Sequence, residues 1–103
     1  KHKYSLKYQK YNDKIEADIS DENIFKQNVS FEVALGAIKS SPLKIIKLPE
    51  WDGYWFWDNK TNSIIIHCAD GSQFDIRETT DVFYTLSNIC RKDWCIYRLD
   101  KKK

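Results

Sequence analysis

The sequence predicts an α+β fold, a small and mostly antiparallel sheet of about five strands with two short helices. Two stretches carry apolar residues at helical spacing, and short runs rich in β-branched and aromatic residues lie between them. Turn-forming residues, among them an Asp-Gly pair, separate these runs as in antiparallel hairpins. A chain of 103 residues is also the length of one domain with a single modest core.

Residues 1–28 are polar and of mixed charge, so we interpret them as an N-terminal extension without a clear structural signal. The early apolar residues Tyr4, Leu6 and Tyr8 alternate as in a strand, which we favour over a helix. The remainder, residues 29–103, is predicted to form a single ligand-binding domain.

The first helix is predicted to begin after Ser30, because serine caps helix N-termini well. Apolar residues follow at positions i, i+3, i+4 and i+7, namely Phe31, Ala34, Leu35 and Ile38. The helix is expected to end at residues 40–42, since Pro42 cannot continue the hydrogen-bond ladder. Gly36 costs about 1 kcal/mol relative to alanine inside a helix, which indicates a close packing contact there.

Short strands separated by turns follow the first helix. The predicted strands cover residues 44–48, 54–57, 64–67 and 73–77. The third of these is the most β-branched, so we expect it to be central in the sheet. Asp70 and Gly71 give the strongest hairpin signal and lead into the fourth strand.

The second helix is predicted to be capped by Thr79 or Thr80. Its buried face is predicted from the helical spacing of Val82, Phe83, Leu86 and Ile89. A last strand over residues 94–99 completes the sheet, and the lysine tail 101–103 is expected to fray.

The charge balance and the cysteines exclude some classes of partner and location. With 17 basic and 15 acidic side chains, the net charge of +2 is too balanced for a typical duplex-binding protein. No apolar run approaches the roughly 18 residues of a membrane helix, and no apolar signal region opens the sequence. The three cysteines follow no framework spacing and are interpreted as reduced thiols, so the predicted location is the cytoplasm.

The sequence offers little for catalysis. No strand–elbow–helix glycine pattern marks a nucleophile, and the three glycines stand too far apart to cradle a phosphate. Cys90 and Cys95 have the wrong spacing for a zinc pair, and the adjacent His67 and Cys68 would point to opposite faces of a strand. We therefore predict no catalytic residue, no bound metal and no cofactor, as in a binding protein that is not an enzyme.

The densest feature is the run 51–57, Trp-Asp-Gly-Tyr-Trp-Phe-Trp, in a chain with 15% aromatic residues. In a strand, Tyr54 and Phe56 face one way while Trp55 and Trp57 face the other. Either both faces are buried, or one face forms an open shelf on which a planar ring stacks with about 1–3 kcal/mol per base. We expect some rings to stay open, because so small a domain does not bury all of them.

Arg77 and Arg91 lie at the ends of predicted elements, where a guanidinium fork is able to hold a phosphate. The alternative is that they pair with Asp75, Glu78 or Asp93 on the surface. The sequence leaves both roles open.

Several features follow one another in a recognisable order over residues 30–99. They are the helix residues Phe31, Ala34 and Leu35, the turn residues Trp51 and Gly53, the Asp70–Gly71 hairpin, a short helix, and Asp93 with Trp94. In this order they resemble the phage family of Thoeris anti-defence proteins of the second type, whose members were formerly classed as small type I toxin–antitoxin toxins. Residues 1–28 have no counterpart in the resemblance.

The resemblance implies a sponge that binds and sequesters a cyclic nucleotide immune signal without cleaving it. In the family the signal is a cyclic ADP-ribose isomer, or a cyclic oligonucleotide in some relatives, and the assembly is a homotetramer with sites between subunits. For this chain it implies a homo-oligomer, a dimer or tetramer, in the cytoplasm of the infected bacterial host. Trp51 and Asp93 carry over as ligand contacts, and Asn88 stands where many members have an aspartate.

Each part of such a nucleotide has candidate partners in the sequence. The predicted ligand-binding residues are Trp51, Trp55 and Trp57 for the base, Asp52, Asn88 and Asp93 for ribose hydroxyls, and Arg77 and Arg91 for phosphates. At least one site is expected between two copies, because one copy has little depth for a pocket. Two alternatives stay open: an interaction module that inhibits a bacterial defence protein and, less favoured, binding of single-stranded nucleic acid.

Overall fold

The computed structural model describes residues 19–99 of the chain. Its elements are a 3-10 turn (Asp21–Asn23), β1 (Ile24–Val29), α1 (Phe31–Ser40), β2 (Lys44–Lys47), β3 (Tyr54–Asp58), β4 (Ser63–His67), β5 (Gln73–Asp75), a second 3-10 turn (Ile76–Glu78), α2 (Val82–Ile89) and β6 (Trp94–Arg98). The predictions for Tyr4, Leu6 and Tyr8 and for the lysine tail 101–103 fall outside the described residues. Within them, no helix has the length and apolar character needed to cross a membrane.

The six strands form one sheet in the order β1-β6-β2-β3-β4-β5, and every neighbouring pair is antiparallel. This confirms the predicted α+β class with two helices, although the sheet has six strands where about five were expected. The additional strand is β1, which pairs with β6 at the edge of the sheet. The predicted domain boundary between residues 28 and 29 therefore falls inside a strand of the sheet.

The hairpin predicted at Asp70 and Gly71 is confirmed. Gly71 has a φ of 91°, a value that glycine adopts without the steric cost other residues meet. The backbone N–H of Cys68 donates to the carbonyl of Ser72 at 2.8 Å and closes the turn. The strand after it is shorter than predicted, since β5 ends at Asp75 and residues 76–78 form a 3-10 turn. β4 lies inside the sheet but is not its central strand, because only β5 separates it from the edge.

Both faces of the sheet carry buried side chains. The core between the sheet and α1 contains Ala34 and Ile38 of the helix together with Ile46, Leu48, Trp55, Ile64, Trp94 and Ile96. The opposite face contains Ile45, Tyr54, Phe56, Ile65, Cys95 and Tyr97. The aromatic run is therefore buried on both faces over residues 54–56, which was the first of the two alternatives for it. Trp55 is only 4% exposed.

Helix α1 begins and packs as predicted, with one exception. The Ser30 hydroxyl accepts the backbone N–H of Val33 at 3.3 Å, and Ala34 and Ile38 are buried against the sheet. Gly36, however, is exposed, and a Cβ built on it would meet no atom within 4 Å. The predicted close packing contact at Gly36 is therefore wrong.

Helix α2 packs through a different face from the predicted one. Its N-cap is Asp81, whose carboxylate accepts the N–H of Tyr84 at 3.0 Å, so neither Thr79 nor Thr80 is the cap. The buried residues are Thr85 and Asn88, while most of the apolar side chains point outward. The exposed apolar residues are Val82, Phe83, Tyr84 and Leu86, with exposed fractions between 53% and 80%, and we call them the α2 apolar surface.

Polar contacts explain why the helix turns this way. The Thr85 hydroxyl lies 3.1 Å from the Thr79 hydroxyl and donates to the Asp81 carbonyl at 3.1 Å. The buried Trp94 ring donates its Nε1–H to the carbonyl of Asn88 at 3.1 Å. These contacts fix the polar stripe of α2 inward, which helical spacing alone does not reveal.

Candidate functional site

A cavity of about 400 Å³ opens at one end of the sheet. The loop 48–53 between β2 and β3, the end of β4 and the start of α2 surround it, with Phe74 of β5 contributing to the wall. Cavities of this size are typical of sites for small ligands. A single copy of the chain thus already forms an open cavity of this size, so the small depth expected of one copy does not by itself require a site between two copies.

The loop 48–53 is fixed by contacts with the end of β4 and with a side chain from the other face of the sheet. A Cβ built on Gly53 would collide with the backbone carbonyl of His67, so only glycine allows the loop to approach the end of β4 this closely. The Trp51 N–H donates to the Leu48 carbonyl at 3.1 Å. From the other face of the sheet, the buried Lys47 ammonium donates to the carbonyls of Leu48 and Pro49 at 3.1 and 3.4 Å.

The tryptophan that the loop presents to the cavity belongs to a three-ring cluster. The ring centroid of the half-buried Trp51 lies 5.4 Å from that of Trp55 and 5.4 Å from that of Trp94. Trp94 is fully buried, and its ring is oriented by the hydrogen bond to α2. Trp51 therefore rests on a rigid aromatic base while part of its surface remains open.

A second constraint on the loop is an ionic bridge to the segment before β6. The Arg91 guanidinium donates to both carboxylate oxygens of Glu50 and to both of Asp93, over distances of 2.5 to 3.1 Å. These hydrogen bonds lower the pKa of the Glu50 and Asp93 carboxyls and raise the pKa of the guanidinium. The bridge therefore connects Glu50, at the rim of the cavity, to the segment between α2 and β6.

Arg77 is paired in a similar way but away from the cavity. Its Nη2 donates to Asp75 at 2.7 Å, and the buried Asp75 carboxylate also accepts the Ser63 hydroxyl at 2.7 Å. The pKa of Asp75 falls to about 2, mainly through the hydrogen bonds from the Arg77 side chain, although burial opposes this shift. For both arginines the structure thus contains the pairing with a carboxylate that the sequence had left open as an alternative.

The cavity gathers some of the predicted ligand-binding residues. Trp51, Asp52 and Trp55 are among its lining residues, and Arg91 and Asp93 connect to it through Glu50. Trp57, Arg77 and Asn88 are not among the lining residues. The Trp57 ring donates to Asn59 at 2.9 Å, and the amide nitrogen of the buried Asn88 has no hydrogen-bond partner among residues 19–99.

Other lining residues were not predicted from the sequence. They are Glu50, Gly53, Tyr54, Ile66, His67, Cys68, Ala69, Phe74, Thr79, Tyr84 and Thr85. Tyr84 and Thr85 were missed because the wrong face of α2 was taken as buried. Glu50 and Gly53 adjoin Trp51 and Asp52, so the turn itself was the available signal for them.

The carboxylates of Glu50 and Asp52 line the cavity. Within residues 19–99, neither lysine nor arginine belongs to its lining. The His67 ring stacks on Tyr54 at 4.5 Å, and its Nδ1 is hydrogen-bonded to Gln73 at 3.1 Å. Within residues 19–99, no group of three or more His, Cys, Asp or Glu side chains is placed to hold a metal ion.

Comparisons with protein-family models, with curated proteins and with solved structures find no match to this chain. The functional interpretation therefore depends on the cavity and on the resemblance in the order of sequence features.

Proposed function

We propose that this chain binds and sequesters a cyclic nucleotide signal in the cavity beside Trp51, without cleaving it. The signal is a cyclic ADP-ribose isomer or a cyclic oligonucleotide, as the resemblance to the Thoeris anti-defence proteins of the second type implies. The observation that carries the proposal is a cavity of about 400 Å³ lined by aromatic residues and acidic side chains. Such a sponge would act in the cytoplasm of the infected bacterium.

The lining supplies partners for a base and a ribose. Trp51, Phe74 and Tyr84 are lining aromatic residues that are partly or largely exposed, so they are the candidates to stack on the base. The carboxylates of Glu50 and Asp52 are acceptors for ribose hydroxyls, because an ionised carboxylate accepts but does not donate. In this proposal Arg91 and Asp93 act indirectly, by holding Glu50 and its loop.

We propose binding without turnover although two residues of the lining, His67 and Cys68, have side chains that enzymes use in catalysis. The His67 ring is stacked on Tyr54, and its Nδ1 is bonded to Gln73. The stack and the hydrogen bond hold the imidazole against the sheet, which favours binding over catalysis.

Calorimetry and thermal unfolding with a panel of cyclic ADP-ribose isomers and cyclic oligonucleotides test the proposal. A true ligand at about a hundredfold excess over its Kd should stabilise the protein by about 2.7 kcal/mol. Trp51→Phe should weaken binding, whereas the matched control Trp57→Phe should not, because Trp57 does not line the cavity.

Mass spectrometry of ligand released from the denatured complex completes the test. The ligand should be recovered unchanged after long incubation. Recovery of a cleaved product, or the absence of stabilisation by every compound of the panel, would contradict the proposal.

We further propose that the chain forms the expected homo-oligomer by covering the α2 apolar surface with a second copy. Isolated exposed apolar residues are common on proteins, but neighbouring ones on one helix mark contact surfaces. Tyr84 belongs both to this surface and to the cavity lining, so a copy seated there would lie at the rim of the site.

Sedimentation velocity tests the second copy. Phe83→Glu should convert the assembly to monomers, while Val33→Glu, at an exposed apolar residue of α1, should not. If the wild-type protein is monomeric and binds no nucleotide of the panel, the alternative is favoured, namely a module that inhibits a bacterial defence protein. Single-stranded nucleic acid fits less well, because no lysine or arginine of the described part of the chain lines the cavity.

A further inference from the structure

The charges at the cavity are unusual for a site that holds phosphates. Phosphate sites in proteins rely on arginine, lysine or backbone N–H groups at helix starts. Among residues 19–99, Glu50 and Asp52 line the cavity and no lysine or arginine does. The N–H groups of Tyr84 and Thr85, at the start of α2, already donate to Asp81. A ligand that enters the cavity therefore approaches the negative charges of Glu50 and Asp52.

In the described range 19–99, the arginine that contacts this rim is Arg91, and its guanidinium is already engaged. All three nitrogen atoms of the Arg91 guanidinium donate to Glu50 or Asp93. A bidentate phosphate contact would have to displace one of these carboxylates. Because the bridge joins two carboxylates to one guanidinium, it keeps a net negative charge, and Asp52 adds another.

We infer that the cavity accepts the uncharged base-and-ribose end of a nucleotide and excludes phosphate, with Asp52 as the residue that sets this specificity. The inference rests on the proposed function and adds to it which part of the ligand is enclosed. The phosphates of a bound cyclic nucleotide then remain outside the cavity, in solvent. Specificity of this kind comes from repulsion of the wrong group, in addition to contacts with the right one.

The dependence of affinity on salt separates this arrangement from a site that grips phosphates. Salt screens interactions between exposed charges over a Debye length of about 10 Å at 0.1 M. A phosphate held by cations loses affinity as salt rises, whereas a phosphate repelled by carboxylates gains affinity. The sign of the salt effect therefore reports the charge that the phosphate meets.

The experiment is isothermal titration of the full chain with adenosine and with adenosine 5′-monophosphate, at low and at moderate salt. These probes share base and ribose and differ in the phosphate alone. We expect adenosine to bind at least tenfold more tightly at low salt, and the ratio of the two dissociation constants to shrink as salt is added. Asp52→Asn should shrink the same ratio, while Glu32→Gln, the same charge change on the exposed first turn of α1, should leave it unchanged.

The same salt series is run on whichever cyclic nucleotide of the panel binds. An affinity that is constant or rises with salt supports the inference. Tighter binding of the monophosphate than of adenosine, or an affinity for the cyclic nucleotide that falls steeply with salt, would overturn it and leave the proposed function standing. If neither probe and no panel compound binds, the proposed function fails and the inference fails with it.

Discussion

The buried carboxylate of Asp75 allows a quantitative expectation for the substitution Asp75→Asn. The pKa of Asp75 lies at about 2 against an ordinary value of 3.8, chiefly because the Arg77 side chain donates to it. At about 1.4 kcal/mol for each pH unit, this difference corresponds to about 2 kcal/mol of stability at neutral pH. The Arg77 side chain is 63% exposed, so water screens the pair and the expected loss in the variant is about 1 to 2 kcal/mol.

The sign of the pH dependence follows from the depressed pKa. The stabilisation is fully present above the unfolded pKa near 3.8 and is lost as the pH falls towards the folded pKa of about 2. Urea unfolding of the wild type and of Asp75→Asn, at pH 7 and in steps from pH 5 to 2, measures it. The difference in free energy of unfolding between the two proteins should be constant above about pH 5 and shrink across the acidic range.

Arg77→Met provides the control, since it removes the main donor and leaves the Ser63 hydroxyl bonded to Asp75. It should weaken the same acidic dependence. A loss below about 0.5 kcal/mol in Asp75→Asn, which is the scale of ordinary surface substitutions, would show that the carboxylate has no such role. A free-energy difference that did not change with pH would lead to the same conclusion.

Three further substitutions test how the loop 48–53 and α1 are built. Gly53→Ala should cost about 1–3 kcal/mol in urea unfolding and weaken ligand binding, because its Cβ meets the His67 carbonyl; a neutral effect would contradict this contact. Gly36→Ala should instead raise the thermal midpoint, by about 0.5–1 kcal/mol in free energy, since it meets no atom in the helix surroundings; destabilisation would show a contact that the structure lacks. Arg91→Met should leave the free energy of unfolding little changed, as the loss of an exposed ion pair does, yet weaken ligand binding in calorimetry by loosening Glu50. Unchanged binding would show that the ionic bridge does not support the ligand site.

Local signals in the sequence predicted most of the fold. The Ser30 cap, the β-branched run of β4 and the Asp70–Gly71 pair each act within a few residues, so their outcome depends little on the rest of the chain. Strand β1 escaped prediction because it is an edge strand whose middle residues are exposed, so apolar alternation is weak. Its pairing with β6 depends on the whole sheet.

The site was predictable where it depends on one turn and not where it depends on packing. Trp51 and Asp52 belong to the aromatic run 51–57, and that run marked them as candidates. Tyr84 reaches the cavity because α2 packs through Thr85 and Asn88. Hydrogen bonds to Thr79, Asp81 and Trp94, just outside the helix, fix this orientation. Helical spacing shows which residues share a face of the helix, but it does not show which face is buried.

The three-ring cluster around Trp51 should make the intrinsic tryptophan fluorescence of the unmodified protein sensitive to ligand binding. The ring centroids of Trp51, Trp55 and Trp94 lie 5.1 to 5.4 Å apart, close enough for excitation to pass between the indoles. A molecule stacked on Trp51 would quench emission from the cluster as a whole, including that of the fully buried Trp94. Occupancy of the cavity should therefore be readable from intrinsic fluorescence in real time, without any attached dye.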